Sequence, residues 1–475
     1  MPGQGESVRF GYPNVVRMRS SPWLRDTRAL AALAVPLALT QLAQVALTTT
    51  DTVLLGLLGT QALAAGGLAM VIFNQLRTMG VGLVTAVGNQ VAATAARGEN
   101  GAADTDAEIR DLVRGALALS TLAGLAGAVL IVLIGEAVGL LGQDPAVVDA
   151  ARPMVWALAP GLVPCLWFQA IRQFTVGMRR PQALLRITLA SIVVNAVLDW
   201  GLIHGTWVLP ELGMAGIGVG TSLVYLLSLL ALYASARRDP ALAPLLDARV
   251  WRTRPATLRR LTRLGVPIAA TYGSEAGFFS VVALLVGAFG ATALAAHTAV
   301  NQLVYVVFQV SVGLSHAASL GVSREIALGR ADAARRVART ALACAVLVMA
   351  LVGAVYLAAP RLVLAPFFEG EVPGVAVTLL AVAALLQFFD CAQNIGVGLL
   401  RGLDDTGGGF RMTLVGYWLV GLPAAWLLAH PLSLDTPGVW LGLVTGLAAT
   451  AGLLLRRFLR RTAKPVAAEG LPSVP

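Results

Sequence analysis

Residues 35–65 read VPLALTQLAQVALTTTDTVLLGLLGTQALAA, and residues 266–296, 231 positions later, read VPIAATYGSEAGFFSVVALLVGAFGATALAA. Both open on Val-Pro, with Pro36 against Pro267. Gly56 and Gly59 fall on Gly287 and Gly290, and both stretches close on Ala-Leu-Ala-Ala. Extended without a gap, 35–98 onto 266–329, the match holds 18 identities in 64 positions and sets Val81-Gly82-Leu83 on Val312-Gly313-Leu314. The same unit therefore occurs twice. Each copy begins with an apolar run of the length that spans a bilayer, about 20 residues.

The rest of the chain agrees with that reading. With 475 residues, 57% hydrophobic and 13% charged, and a mean hydropathy of +0.77, it has more apolar length than a water-soluble core uses. Twelve such runs recur between residues 30 and 456, the fourth near 147–170 and the tenth near 372–400. The offset of the repeat spans six of them. An even number preserves orientation, so the expected fold is all-α and polytopic, with two six-helix lobes related by a pseudo-two-fold axis along the membrane normal. The expected parts are a tail (1–29), a first lobe (30–236), an arginine-rich linker (237–263), a second lobe (264–456) and a second tail (457–475).

Basic residues orient the bundle, because they collect at the cytoplasmic ends of membrane helices. If the amino terminus is inside, 32 of the 35 fall on that side, including eight arginines from Arg237 to Arg263; Arg77, Arg152 and Arg361 are the exceptions. Both tails are expected in the cytoplasm. The net charge of +10 is thus an orientation signal and an attraction to anionic lipid, with no case for nucleic acid. The first apolar run is too long for a signal-peptide core, so no cleavage is expected. Cys165, Cys344 and Cys391 lack paired spacing and read as packing residues. Trp156, Trp167, Trp207 and Trp440 read as interfacial anchors, and His297 and His316 as packing histidines. The paired prolines are either fixed kinks or hinges that bend in transport.

Carboxylates and amides inside these runs set the chemistry. A charge at mid-membrane costs about 2.5–3.5 kcal/mol on insertion scales, so such residues face a bundle interior and mark an ion or substrate path. Helical spacing aligns Gln41, Gln44, Thr48 and Asp51; then Thr188, Ser191, Asn195 and Asp199; and Gln387, Asp390 and Asn394. Thr221, Glu275, Asn301 and Tyr305 add to the polar lining, with Gln302 beside them. Each lobe is expected to carry its own acidic lining. Arg77, the one mid-helix cation, is in a position to pair with Asp51 or Asp199 as a fixed bridge. One arginine cannot neutralise four carboxylates, so some are left to bind a proton or metal ion.

Pro36, Asp51-Thr52, Leu58-Gly59 and Ala62-Leu63-Ala64-Ala65, then Arg172-Gln173-Phe174, Gly177, Asn195 and Asp199, carry a family resemblance. So do Gly265-Val266-Pro267, Glu275, Ala295-Ala296-His297, Leu400-Arg401-Gly402, Asp405-Thr406, and Tyr417-Trp418 with Gly421-Leu422-Pro423. The chain resembles the multidrug and toxic compound extrusion (MATE) family over nearly its whole length, NorM-type with some DinF-type features. That resemblance implies export of amphipathic, often cationic compounds in exchange for protons or sodium by alternating access, from a bacterial inner membrane. It implies an amino-lobe cation site at Asp51, Asn195, Asp199 and Thr221, with Asp51 and Asp199 as metal ligands if sodium is the ion, and a carboxyl-lobe pair at Glu275 and Asp390. Carrying both sets departs from either branch, as does Arg77. Gln44, Phe73, Asn74, Arg77, Asn301 and Gln302 are expected to line the drug path, with Tyr305, Gln393 and Asn394. No cofactor is expected, and a monomer suffices.

Two other readings compete. A flippase for lipid-linked sugars would want a basic cavity for a pyrophosphate, whereas the cavity expected here is acidic, with Arg77 its only cation. An intramembrane enzyme would need carboxylates for magnesium, and Asp404-Asp405, beside Gly407-Gly408-Gly409, lacks a second acidic motif. No nucleotide-binding pattern occurs, so an ion gradient is the expected energy source.

Overall fold

The computed structural model describes residues 22–142, 144–206 and 209–463. Among them are twelve helices long and apolar enough to cross a membrane. The first lobe holds α1 (Asp26–Leu57), α2 (Thr60–Glu99), α3 (Thr105–Leu140), α4 (Pro145–Gly177), α5 (Ala183–His204) and α6 (Met214–Arg238). The second holds α7 (Pro255–Gly287), α8 (Ala291–Ala327), α9 (Ala331–Ala358), α10 (Gly374–Gly402), α11 (Thr406–Ala429) and α12 (Asp435–Ala463). Arg9, Arg17, Arg19, Lys464 and Trp207 lie outside the described residues.

The repeat persists at the level of backbone angles. Gly59, between α1 and α2, has φ 104° and ψ 173°; Gly290, between α7 and α8, has φ 103° and ψ 172°. Only glycine enters that region without strain, so the motif marks the same turn in each lobe. Thr40 donates its hydroxyl to the Pro36 carbonyl at 2.7 Å, and Thr271, its equivalent, donates to that of Pro267 at 2.8 Å. Proline already weakens the ladder there, and a back-bonding threonine adds to the bend.

The lobes meet through contacts that exchange under the same symmetry. A Cβ on Gly82 of α2 would lie 2.9 Å from the Ala269 Cα of α7, and one on Gly313 of α8 would lie 2.7 Å from the Ala38 Cα of α1. Gly82 and Gly313 are repeat equivalents, as are Ala38 and Ala269. Small residues let membrane helices approach to backbone distance, where dispersion replaces the missing hydrophobic drive. Below this level, on the side of the chain ends, Asn89 donates to the Ser319 and Ser323 hydroxyls at 2.7 and 2.8 Å, and Gln90 to Asp404 at 2.6 Å. Arg324 also meets Glu99. The hydrogen bonds and ion pairs that join the lobes among the described residues all lie on this side.

The linker is anchored there too. Asp247 accepts from Arg114 at 2.5 Å and from the Arg249 backbone N–H at 2.9 Å. Burial raises its carboxyl, but these donors and the two guanidiniums outweigh it and hold the group below its ordinary range. Asp111 accepts from Thr257 at the start of α7.

Two tryptophan expectations need comment. Trp156 is 57% exposed, as an anchor would be, but Trp440 is buried in the second lobe's core, where its ring meets His297 edge-on at 5.7 Å. Close packing of α12 against α11 draws that large apolar ring inward. Trp167 is half-buried and donates to Thr121 at 2.9 Å.

If the glycine contacts hold the lobes together, Gly313→Leu must push Ala38 away. In a cysteine-free background, Ser319→Cys, buried behind that contact, is then expected to react several-fold faster with a hydrophilic thiol reagent. Unchanged reactivity would show that the contact does not hold the seam.

Candidate functional site

The intramembrane polar residues form two separate groups. The first lies inside the first lobe, where α1, α5 and α6 converge. Asp51, Asn195, Asp199 and Thr221 are all at most 2% exposed. Asn195 donates through Nδ2 to Asp51 Oδ1 at 2.7 Å and also to Asp199 Oδ2, while Thr221 donates to Asp51 Oδ2 at 3.5 Å. The four-residue spacing of Asn195 and Asp199 on α5 places them on one face. Asn195 Oδ1 and Asp199 Oδ1 are buried without a hydrogen-bond partner.

Sequence reasoning missed one requirement of this group. A Cβ on Gly220 would overlap Asp199 Oδ1, so only glycine lets α6 accept the carboxylate against its backbone. A glycine directly before the aligned Thr221 was the available signal. The donor set offers two carboxylates, an amide and a hydroxyl, enough oxygens for one small cation, and no group of three His, Cys, Asp or Glu suited to a transition metal occurs among the described residues.

The second group lines a cavity of about 400 Å³ between the lobes, within the size range of small-molecule sites. Glu275 and Asp390 face it, with Gln44, Asn301, Tyr305, Gln393 and Asn394. Tyr417 donates its phenol to Glu275 at 3.4 Å, and Trp418 donates to Ser274 at 2.9 Å. Both come from a π-helical stretch, Val415–Gly421, within α11, where the wider turn re-aims two adjacent rings at α7. Tyr417 was absent from the sequence-derived site, although a phenol inside an apolar helix was its signal.

Several expectations are corrected. Arg77 lines the cavity but bridges to neither Asp51 nor Asp199; its Nε donates to Asn74 at 3.1 Å. The two aspartates are enclosed by α5 and α6, off the cavity, so only the second lobe contributes carboxylates to the shared space. Phe73 is 1% exposed in the first lobe's core near Tyr225, drawn there by its apolar area. Asn74 is taken up by Arg77 and does not line the cavity. Gln302, one helical step from Asn301, points away and is exposed.

The largest correction concerns charge. Arg172 and Arg401, expected in loops, lie in α4 and α10 at 3% and 4% exposure and line the cavity with Arg77 and His316. Three arginines therefore face two carboxylates. Arg172 donates to Gln41 at 2.8 Å, and Arg401 to Tyr272 at 3.4 Å. Gln41 and Tyr272 are repeat equivalents, so each lobe presents one arginine against the same position of its first helix.

The chain's relatives are consistent with this architecture. The family model MatE matches residues 36–200 and 267–427. A probable multidrug resistance protein NorM of Pseudomonas aeruginosa is 38% identical over 454 residues, covering 94% of this chain and 91% of that protein. Its counterpart in Bradyrhizobium diazoefficiens is 41% identical over 440 residues, covering 90% and 91%. Among solved structures, the eukaryotic MATE transporter AtDTX14 superposes with a TM-score of 0.78 at 21% identity, covering 93% of this chain and 98% of that one. An outward-facing multidrug resistance MATE transporter gives 0.81 at 18%, covering 92% and 96%. At such identities the structural likeness speaks for the fold alone.

Gly220→Val is expected to destabilise the protein by about 1–3 kcal/mol, the usual cost of overpacking. Thermal unfolding in detergent would show a melting point lowered by several degrees. An unchanged melting point would mean that Asp199 does not pack against α6 as described.

Proposed function

The chain belongs to the MatE family, and on that premise we propose that it is a secondary active exporter. It would carry amphipathic, often cationic compounds out of a bacterial cell across the inner membrane in exchange for protons or sodium ions. The supporting observation is the division of labour between the two polar groups: an enclosed carboxylate cluster in one lobe beside a wider acid-bearing cavity shared by both. Enzymatic chemistry plays no part in the reading. A single chain holds both lobes and the cavity between them, so the transporting unit is the monomer.

In the proposed cycle, the cavity takes up drug from the side of the tails and releases it on the opposite side. The close approach at Gly82 and Gly313 supports reading this conformation as the release-side state of the proposed cycle. The tails and the linker at 237–263 are assigned to the cytoplasm by their arginines. A cation entering the Asp51 cluster cancels one of two adjacent carboxylate charges and so relieves a mutual repulsion that is costly in a low-dielectric site. That neutralisation favours repacking of α1 against α5 and α6, with Pro36 as the bend, and Pro267 plays the same part in α7. Glu275 and Asp390 hold the cationic end of the drug until a proton or sodium ion replaces it. A ligand shifts the two states only as far as its affinity differs between them, so exchange requires that drug and ion prefer opposite states.

The basic residues at the cavity floor favour a second reading, a flippase for a lipid-linked pyrophosphate sugar. Glu275 and Asp390 in the same cavity argue against an anion of that charge density.

Efflux of a fluorescent organic cation from proteoliposomes tests the reading. Imposed proton or sodium gradients are expected to drive efflux, and Asp51→Asn to lower it by an order of magnitude or more while the protein stays folded. Dye movement indifferent to both gradients, or an Asp51→Asn variant with full gradient-driven rates, would contradict it.

A further inference from the structure

We propose that the floor of the central cavity, where Arg172 meets Gln41 and Arg401 meets Tyr272, binds the anionic group of zwitterionic substrates, a carboxylate or similar oxyanion. The cationic end of the same substrate would face Glu275 and Asp390. This deepens the transport reading and rests on its assignment of the cavity as the drug site.

The floor has the features of an incomplete anion site. Arg172 donates to Gln41 at 2.8 Å and Gln169 at 3.2 Å, and Arg401 to Tyr272 at 3.4 Å. All three partners are neutral oxygens. A guanidinium has five N–H donors, so both arginines keep donors in reserve, and Arg401 Nε is buried with no partner. Arg172, Arg401 and Tyr272 line this one cavity, so a guanidinium from each lobe and a phenol share its wall. His316, on α8, is within reach of both arginines, and its Nε2 is likewise buried without a partner. Buried cations with neutral partners are costly unless a counter-charge completes them.

Geometry suits a molecule with two charged ends. Glu275 follows Tyr272 by three residues on α7, one turn above the floor, while Asp390 and Arg401 are eleven residues apart on α10, about 16 Å along the axis. The same cavity is also lined by apolar and aromatic surfaces such as Val304, Phe279 and Phe308. An amphipathic ring system with an amine at one end and a carboxylate at the other would place the carboxylate in the fork geometry that arginine recognises. Because the arginines come from different lobes, the same anion would also tie the lobes together at the seam.

Binding of a matched dye pair to the purified protein tests this: a xanthene dye carrying a cationic ring system and an aryl carboxylate, and its ester, which is cationic only. Wild type is expected to bind the acid about tenfold more tightly than the ester, the scale of one charge-assisted contact. Arg172→Gln and Arg401→Gln should each bring that ratio toward one, and lysine at either position should restore part of it. Equal affinities in wild type, or a ratio that survives both glutamine variants in folded protein, would overturn the proposal. If the glutamine variants fail to fold, competition on wild type decides: benzoate should displace the acid and spare the ester, and failure to displace the acid overturns the proposal. An ester that binds while the acid gains nothing removes the anion floor alone. Absence of binding by either dye removes the drug-site reading with it.

Discussion

Two backbone contacts, Gly82 with Ala269 and Gly313 with Ala38, set the geometry on which the rest of this molecule depends. They are one contact used twice, exchanged by the pseudo-two-fold. In a membrane, lipid is as apolar as leucine, so helices associate through close packing rather than through exclusion of water. Removing the side chains at these positions lets the lobes touch at one depth. Gln41 and Tyr272 follow Ala38 and Ala269 by three residues, which is why the cavity floor begins one turn from the seam.

Burial of charge then decides what each compartment holds. The Asp51–Asn195–Asp199 cluster is closed off by packing, and Gly220 allows that closure. Small cations are suited to such a space and drug-sized molecules are not. The inter-lobe cavity is roomy and carries both signs of charge, so on the reading proposed above its ligands would be selected by the arrangement of their charges as well as by their net charge. Transport coupling, on this account, is a conversation between two sites with different size limits, carried by the helices that border both. The first of these is α1, which carries Asp51 in the enclosed cluster and, about two turns earlier along the same stripe, Gln44 and Gln41 at the cavity.

Most of the fold was legible in the sequence because the repeat is strong and membrane spans announce themselves by length. Gly59 and Gly290, matched in the alignment, prove to share φ and ψ to within a degree. The carboxylate cluster was legible for the same reason: helical spacing puts Asn195 and Asp199 on one face, and the cost of an intramembrane charge directs attention to Asp51. What escaped were the longer ends of the helices. Ending the fourth run near 170 and the tenth near 400 left Arg172 and Arg401 in loops, whereas α4 continues to Gly177 and α10 to Gly402. That error turned a cavity of mixed charge into an acidic one. Tyr417 was missed because its direction depends on a π-helical turn, which a period of 3.6 does not foresee. Phe73 was misplaced because spacing alone does not tell a lobe core from a cavity wall.

Reciprocity gives the most direct test of the central claim that drug and ion exchange through one protein. Linkage requires that if an ion gradient moves drug, a drug gradient must move ion the other way. Proteoliposomes loaded with an organic cation, placed in dye-free buffer with symmetric pH and sodium, and monitored by internal proton- and sodium-sensitive reporters, make that measurable. The account predicts influx of one of these ions that follows the outward drug gradient and is lost in Asp51→Asn. Drug efflux with neither ion entering would contradict it.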